Sequence, residues 1–316
     1  MATYKGTHGT KIQNYTSDPA NPLTGQVWYN STSNSLKVNT GSLVSAWSTG
    51  GNMGTARYAT GSAGTQTSAM VVGGEPSPAF TELYNGTSWT EVNDLNIGRT
   101  FIGAAGATNT AVVAAGPSSF CELWNGTNWT EVNNINENRD ITITGTSTAA
   151  LAFGGSGPRT ETELWNGTNW TEVNDMNTGR GYMAACGTTA ATIAFGGVNN
   201  SGNVTLTESW NGTNWTEVND LNTARKGLGG AGTSTSALGF GGATNSGSAR
   251  VALTESWNGT NWTETGDLGT ARSYMGGAGS NNTSALAAGG AVPPQTGTAA
   301  TEEWNITGGI KTIGTS

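Results

Sequence analysis

Apolar residues in this chain come in short runs bounded by Gly, Thr, Asn and Ser, and the runs recur at a period of roughly 40 to 47 residues. The motif Glu-x-Trp-Asn-Gly-Thr-x-Trp marks each return, with anchors at Tyr84/Trp89, Trp124/Trp129, Trp165/Trp170, Trp210/Trp215 and Trp257/Trp262 and a truncated copy at Trp304. Within one copy an alternating small-residue stretch and an apolar stretch, such as 149–155 or 192–197, read as two consecutive strands, a and b. A loop of variable length leads to strand c (162–166), and Asn-Gly-Thr-Asn leads to strand d (170–173). Asn-Gly tolerates the positive φ angles of a tight hairpin, so c and d pair antiparallel. Four meandering strands make one propeller blade, and a unit that cannot bury its apolar face alone must stack on copies of itself. Almost no helix is expected.

A second marker counts the blades. Arg57, Arg99, Arg139, Arg180, Arg225 and Arg272 each stand ten residues after a tryptophan, at Trp47, Trp89, Trp129, Trp170, Trp215 and Trp262. The sixth unit has a strand c at 301–305 but no following Trp in register, whereas Trp47 holds that register near the start of the chain. Segment 43–49 is therefore expected to supply the outer strand of the last blade, and its loss should cost far more than trimming 311–316. The domains read as an arm and β-hairpin over 1–40, a propeller over 41–310 and a C-terminal tail over 311–316. The fold class is all-β: a six-bladed propeller with four antiparallel strands per blade, preceded by the arm and hairpin.

The Gly-Gly doublet closing strand b, the aromatic residue on c, the Trp on d and the Arg opening the next unit together resemble kelch repeats over about residues 47–305. The resemblance implies that ligands meet the face carrying the b–c loops. Two departures stand out. The c–d turn is shorter than the usual kelch connection, and the second repeat has Ala115-Gly116 in place of Gly-Gly.

The formal charge of −8 disperses on inspection, because the template itself supplies Glu82, Glu122, Glu163, Glu208, Glu255 and Glu302 and then Glu91, Glu131, Glu172, Glu217 and Glu264. Thirteen Lys and Arg, mostly one per repeat, leave no basic stripe, which argues against nucleic acid and an anionic membrane surface as partners. No apolar run is long enough to span a bilayer and 1–22 has no signal-peptide pattern, so membrane insertion and classical export are not expected. Cys121 and Cys186 fall in different repeats and read as buried free thiols. The recurring Trp residues read as structural, one large ring per blade interface. One Arg and one Glu near the same face of every blade suggest a ring of buried ion pairs.

Chemistry has little to draw on. The single His8 cannot build a catalytic triad or a histidine metal site, and copper chemistry of the galactose-oxidase type needs ligands that the chain lacks. No catalytic, cofactor-binding or metal residues are assigned. Asp94, Asp175, Asp220 and Asp267 recur in the d–a loops, where turn-forming carboxylates are preferred over calcium ligands. Asn-x-Ser/Thr sequons are likewise read as turns. Individuality lies in the b–c loops, which grow from five residues after Gly116 to ten, twelve and eleven after Gly197, Gly242 and Gly290. Asn199, Asn200, Asn203, Asn245, Ser248, Arg250, Pro293, Pro294 and Gln295 are the candidate contact residues there.

Residues 25–38 read as a separate hairpin with a polar turn, preceded by an irregular arm. Tyr4, Lys5, Lys11, Trp28 and Tyr29 are the candidate anchoring residues, and the arm is expected to contact a neighbouring subunit. Gly-Gln-Val-Trp-Tyr-Asn-Ser-Thr, followed by Asn-Gly-Thr-Asn-Trp-Thr-Glu-Val-Asn-Asp-Leu-Asn-Thr-Ala-Arg units, is similar to proteins of tailed bacteriophages, marine ones especially. That resemblance implies a non-enzymatic virion component, a tail, fibre or capsid-surface protein made in the host cytoplasm. It would be present as a homo-oligomer or in many copies, binding other virion proteins through its arm and a host glycan or receptor through its b–c loops. A carbohydrate-binding, lectin-like adhesin is the alternative.

Overall fold

The computed structural model describes residues 12–19, 25–39, 44–244, 249–307 and 310–313. Contacts divide the chain into two compact units, 1–45 with 306–316 and 46–305. The larger is a six-bladed, kelch-like β-propeller, and the described residues contain no helix. Blade three shows the plan: strands Thr142–Thr146, Ala149–Phe153, Thr162–Trp165 and Trp170–Val173 pair antiparallel in sequence order. The innermost strands are Gly61–Thr65, Gly103–Thr108, Thr142–Thr146, Ala184–Thr188, Gly229–Thr233 and Gly276–Asn281. Each packs against the next and the sixth packs against the first, which closes the ring. Gly and Ala dominate these strands because six of them converge on one axis and large side chains there would collide.

Val44–Thr49 is the outer strand of blade six, beside Thr301–Thr307. Trp47 donates its indole N–H to Thr254 of blade five at 3.0 Å and packs its ring on Phe240 and Trp304. The same bond recurs between neighbours. Trp129, Trp215, Trp262 and Trp89 donate to the hydroxyls of Thr81, Thr162, Thr207 and Thr301, each at the start of strand c in the preceding blade. One rung differs, since Trp170 meets Cys121 where every other blade offers a threonine, and its N–H has no oxygen acceptor. A buried indole usually finds a partner, so the ladder joins ring burial to polar satisfaction at five of six interfaces. Both cysteines are buried and free, and burial pushes the Cys121 thiol up to about 11.

Polar template residues are spent on turns. Asn125 accepts from the backbone N–H groups of Thr127 and Asn128 across the c–d hairpin, and Gly126 takes φ +95° there. A side chain at that φ would be strained, which is why Asn-Gly is copied from blade to blade. Asp94, Asp175, Asp220 and Asp267 accept from the backbone N–H of Thr81, Thr162, Thr207 and Thr254, fixing the start of strand c.

The smaller unit carries one sheet, ordered Gln13–Tyr15, Val27–Asn30, Ser35–Asn39 and Ile310–Thr312. Its first two strands are parallel and the others antiparallel. The sequence-based tail therefore needs correction: Lys311 and Thr312 are paired strand residues, matched to Val38 and Lys37. A three-residue strand is too short to announce itself by periodicity. Trp28 also departs from expectation as an anchoring contact, for it is fully buried and donates to Asp18, which Asn30 also bonds. Those two bonds hold the Asp18 carboxyl below its usual range. Tyr29 is half-buried, with its hydroxyl bonded to Asn34. Tyr4, Lys5 and Lys11 lie outside the described residues.

Candidate functional site

One belt of charge runs around the ring and belongs to the scaffold. Arg57, Arg99, Arg139, Arg180, Arg225 and Arg272 pair with Glu82, Glu122, Glu163, Glu208, Glu255 and Glu302 at 2.5 to 3.0 Å. Every pair is buried and lies within one blade, the arginine leading into strand a and the glutamate sitting on strand c. The second carboxylate oxygen accepts from the backbone of the incoming linker, at Gly54, Asn96, Asn136, Asn177, Asn222 and Gly269. The guanidinium also donates to backbone carbonyls, as Arg225 does to Gly241 and Leu253 at 2.8 Å. Burial pulls the guanidinium groups of Arg57, Arg99, Arg180, Arg225 and Arg272 below their ordinary pKa, opposed first by the partner glutamate. With each oxygen engaged, the belt cross-links three segments of backbone per blade and offers no free acid or base.

The axial channel opens on the face where the d–a and b–c loops emerge. There a cavity of about 170 Å³ is lined by residues of all six blades, including Phe101, Asp140, Tyr182 and Tyr274. A second space of about 100 Å³ continues between the inner strands. Two residues after the belt arginine, the chain turns through the left-handed region at Ala59, Phe101, Tyr182, Gly227 and Tyr274, with φ between +52° and +61°. A chain of backbone bonds links these turns, from Phe101 to Ala59, Ala59 to Tyr274, Tyr274 to Gly227 and Gly227 to Tyr182.

Blade three breaks the series. Its strand a begins three residues after Arg139, whereas Gly61 follows Arg57 by four, so the left-handed residue is missing. The consequence is a change of symmetry. Phe101, Tyr182 and Tyr274, from blades two, four and six, meet with ring centroids 5.3, 5.5 and 5.7 Å apart, Tyr274 edge to face with both others and Phe101 tilted against Tyr182. Ala59, the shortened linker of blade three and Gly227 make the room. A Cβ on Gly227 would lie 2.7 Å from the Tyr274 ring. All three aromatic rings are half-buried and floor the mouth. Left-handed φ is uncommon for aromatic residues and clusters at functional sites.

Polar groups frame this floor. Burial raises the Tyr182 hydroxyl above its ordinary pKa, followed by the neighbouring Asp140 carboxylate, with Ser156 also in hydrogen-bond reach. Tyr274 is raised by burial and then by Tyr182, and Arg250 opposes that shift. Tyr58 donates to Glu75 at 2.5 Å, the first cause of its raised pKa, and also meets Gln295 and the field of Arg250.

The long b–c loops of blades four, five and six are ordered ladders, Val198–Asn199 with Gly202–Asn203, Ala243–Thr244 with Ala249–Arg250, and Ala291–Val292 with Thr296–Gly297. Among the sequence-based contact residues, Asn200, Pro293, Pro294 and Gln295 are exposed. Asn199 caps its own turn through Ser201, and Asn203 donates to the Ala243 carbonyl of the next blade. Arg250 reaches Gln295 across blades five and six. Asn245 and Ser248 lie outside the described residues. The aromatic floor was missed by sequence reasoning; its signal was the residue two positions after the belt arginine, which is aromatic in blades two, four and six only.

No described family and no curated protein matches the sequence. Among solved structures the chain is similar to YjhT, with a TM-score of 0.69 over 84% of this chain and 100% of that one, at 12% identity. Likeness at that identity carries the propeller fold and no activity.

Proposed function

We propose that this protein is a non-enzymatic interaction module, a bacteriophage virion component whose propeller presents the channel-mouth face for host attachment or assembly. The observation that supports it is the division of its polar residues. Buried charge is engaged in the belt and both thiols are buried, while non-repeated polar and aromatic groups gather at the mouth and on the loops of blades four to six. A rigid scaffold with variable loops on one face suits recognition. The sequence resemblance to tailed-phage proteins adds the particle, and the separate sheet of the smaller unit is the proposed anchor to other virion proteins.

The test is to raise antibodies against the isolated protein and label purified particles for electron microscopy, alongside adsorption assays with the isolated protein as competitor. Labelling of a defined site on the particle and reduced adsorption are expected. Particles without the protein, or turnover of a substrate by the isolated chain, would overturn the reading. A lectin-like adhesin is the second reading, favoured by the aromatic floor.

A further inference from the structure

Eight arginines occur in the chain, and seven of them have a carboxylate partner: the six of the belt, and Arg159 with Glu137 and Glu161. Arg250 is the eighth. Among the described residues it has no acidic partner, and its recorded bond is a long one, 3.4 Å from a terminal nitrogen to the Gln295 side-chain oxygen. All the acidic side chains of the sequence fall within the described residues. A half-buried guanidinium facing this way is a planar fork of donors awaiting an anion.

Its surroundings say which anion. Gln295 is held at φ +126°, a conformation nearly reserved for glycine, and in that pose its side-chain oxygen accepts from Arg250. Strain of this kind persists where the surrounding structure fixes a residue for a purpose. Backbone pairing ties both loops to the aromatic floor: Ala243, the strand partner of Arg250, bridges Lys226 beside Gly227, and Ala291, at the start of the loop that carries Gln295, bridges Ser273 beside Tyr274. Asp140 lines the cavity beside Tyr182, and Glu75 accepts from Tyr58, the residue next to Ala59 of the lining. Two carboxylates at the same mouth repel a polyanion, which disfavours nucleic acid or a strongly acidic peptide. They accept hydrogen bonds from hydroxyl groups instead, and half-exposed rings offer an apolar face to ring C–H groups.

We propose that the channel mouth binds a saccharide bearing a single carboxylate, with the carboxylate on Arg250 and Gln295 and the sugar ring against Tyr274 and its neighbours. The site is the contact chemistry of the interaction face inferred above and rests on that reading. It is assayed on the isolated protein, so failure of binding is separate from failure to find the protein on a particle.

The experiment uses the full chain on an array of glycans ending in uronic or sialic acids, each beside its neutral counterpart, followed by titration with the best acidic ligand and its methyl ester. The acid should bind and the ester should bind roughly tenfold or more weakly, because the fork loses its ionised partner. Arg250→Ala should lower affinity for the acid by a similar factor and leave binding of the ester unchanged. Gln295→Ala should weaken it less. Unchanged unfolding midpoints in both variants would show that the ring is intact. Equal binding of acid and ester, equal binding by Arg250→Ala, or no acidic saccharide bound while a neutral glycan or acidic peptide is, would each overturn the proposal.

Discussion

The belt and the mouth hold the same residue type in opposite circumstances. Arg225 and Arg250 both belong to blade five; the first is buried against Glu255 and two carbonyls, and the second, among the described residues, bonds Gln295 at 3.4 Å and no carboxylate. The difference teaches how a repeat protein separates stability from recognition. A residue that every blade needs for the same packing is copied in every blade. A residue near the axis shares its space with five others, so copies there must differ, and chemistry can vary without touching the scaffold.

Closure is where the comparison can be broken hardest. Deleting 44–49 removes the outer strand of blade six, the Trp47 bond to Thr254 and the Trp47 packing on Phe240 and Trp304. A ring repeat without its closing strand exposes an interface on both sides. Loss of cooperative unfolding is expected, with fast hydrogen exchange in blades five and six. A deletion variant that kept the parent's denaturation midpoint would show that stability does not depend on ring closure.

The belt pairs come next. Glu208→Gln leaves Arg180 buried without its anion and should cost roughly 3–5 kcal/mol in denaturant unfolding. The double change Arg180→Met with Glu208→Leu should recover much of that loss, since a well-packed apolar pair avoids desolvation. Arg250→Ala, by contrast, should stay within about 0.5 kcal/mol of the parent, as loop substitutions usually do. Equal costs for Glu208→Gln and Arg250→Ala would erase the distinction drawn between the two regions.

How much of this was legible in the sequence follows the same division. The belt partners, the blade count and the closing segment around Trp47 could be read because each repeats at a fixed spacing. The aromatic floor could not, because Ala59, Phe101, Tyr182, Gly227 and Tyr274 look like drift until the axis brings them together. The absent residue in blade three is a deletion, and a deletion has no side chain to notice. Trp28 was misread because an isolated aromatic in a hairpin looks exposed until its Asp18 partner, ten residues away, is placed. The strand Ile310–Thr312 was missed because its partner, Ser35–Asn39, stands at the other end of the chain.

The smallest expected effect tests whether the template itself is improvable. Five indole N–H groups of the interblade ladder bond to threonine hydroxyls, and the sixth, Trp170, faces the Cys121 sulfur. A thiol is a weak acceptor, so this rung leaves a buried donor poorly satisfied. Cys121→Thr restores the residue found in the other blades, at nearly the same volume, and should stabilise the ring by about 1 kcal/mol. Chemical denaturation of the two proteins would show it as a higher midpoint with unchanged slope. No gain, or a loss, would mean that the packing of blade two has already adapted to sulfur and that its departure from the template is not a defect.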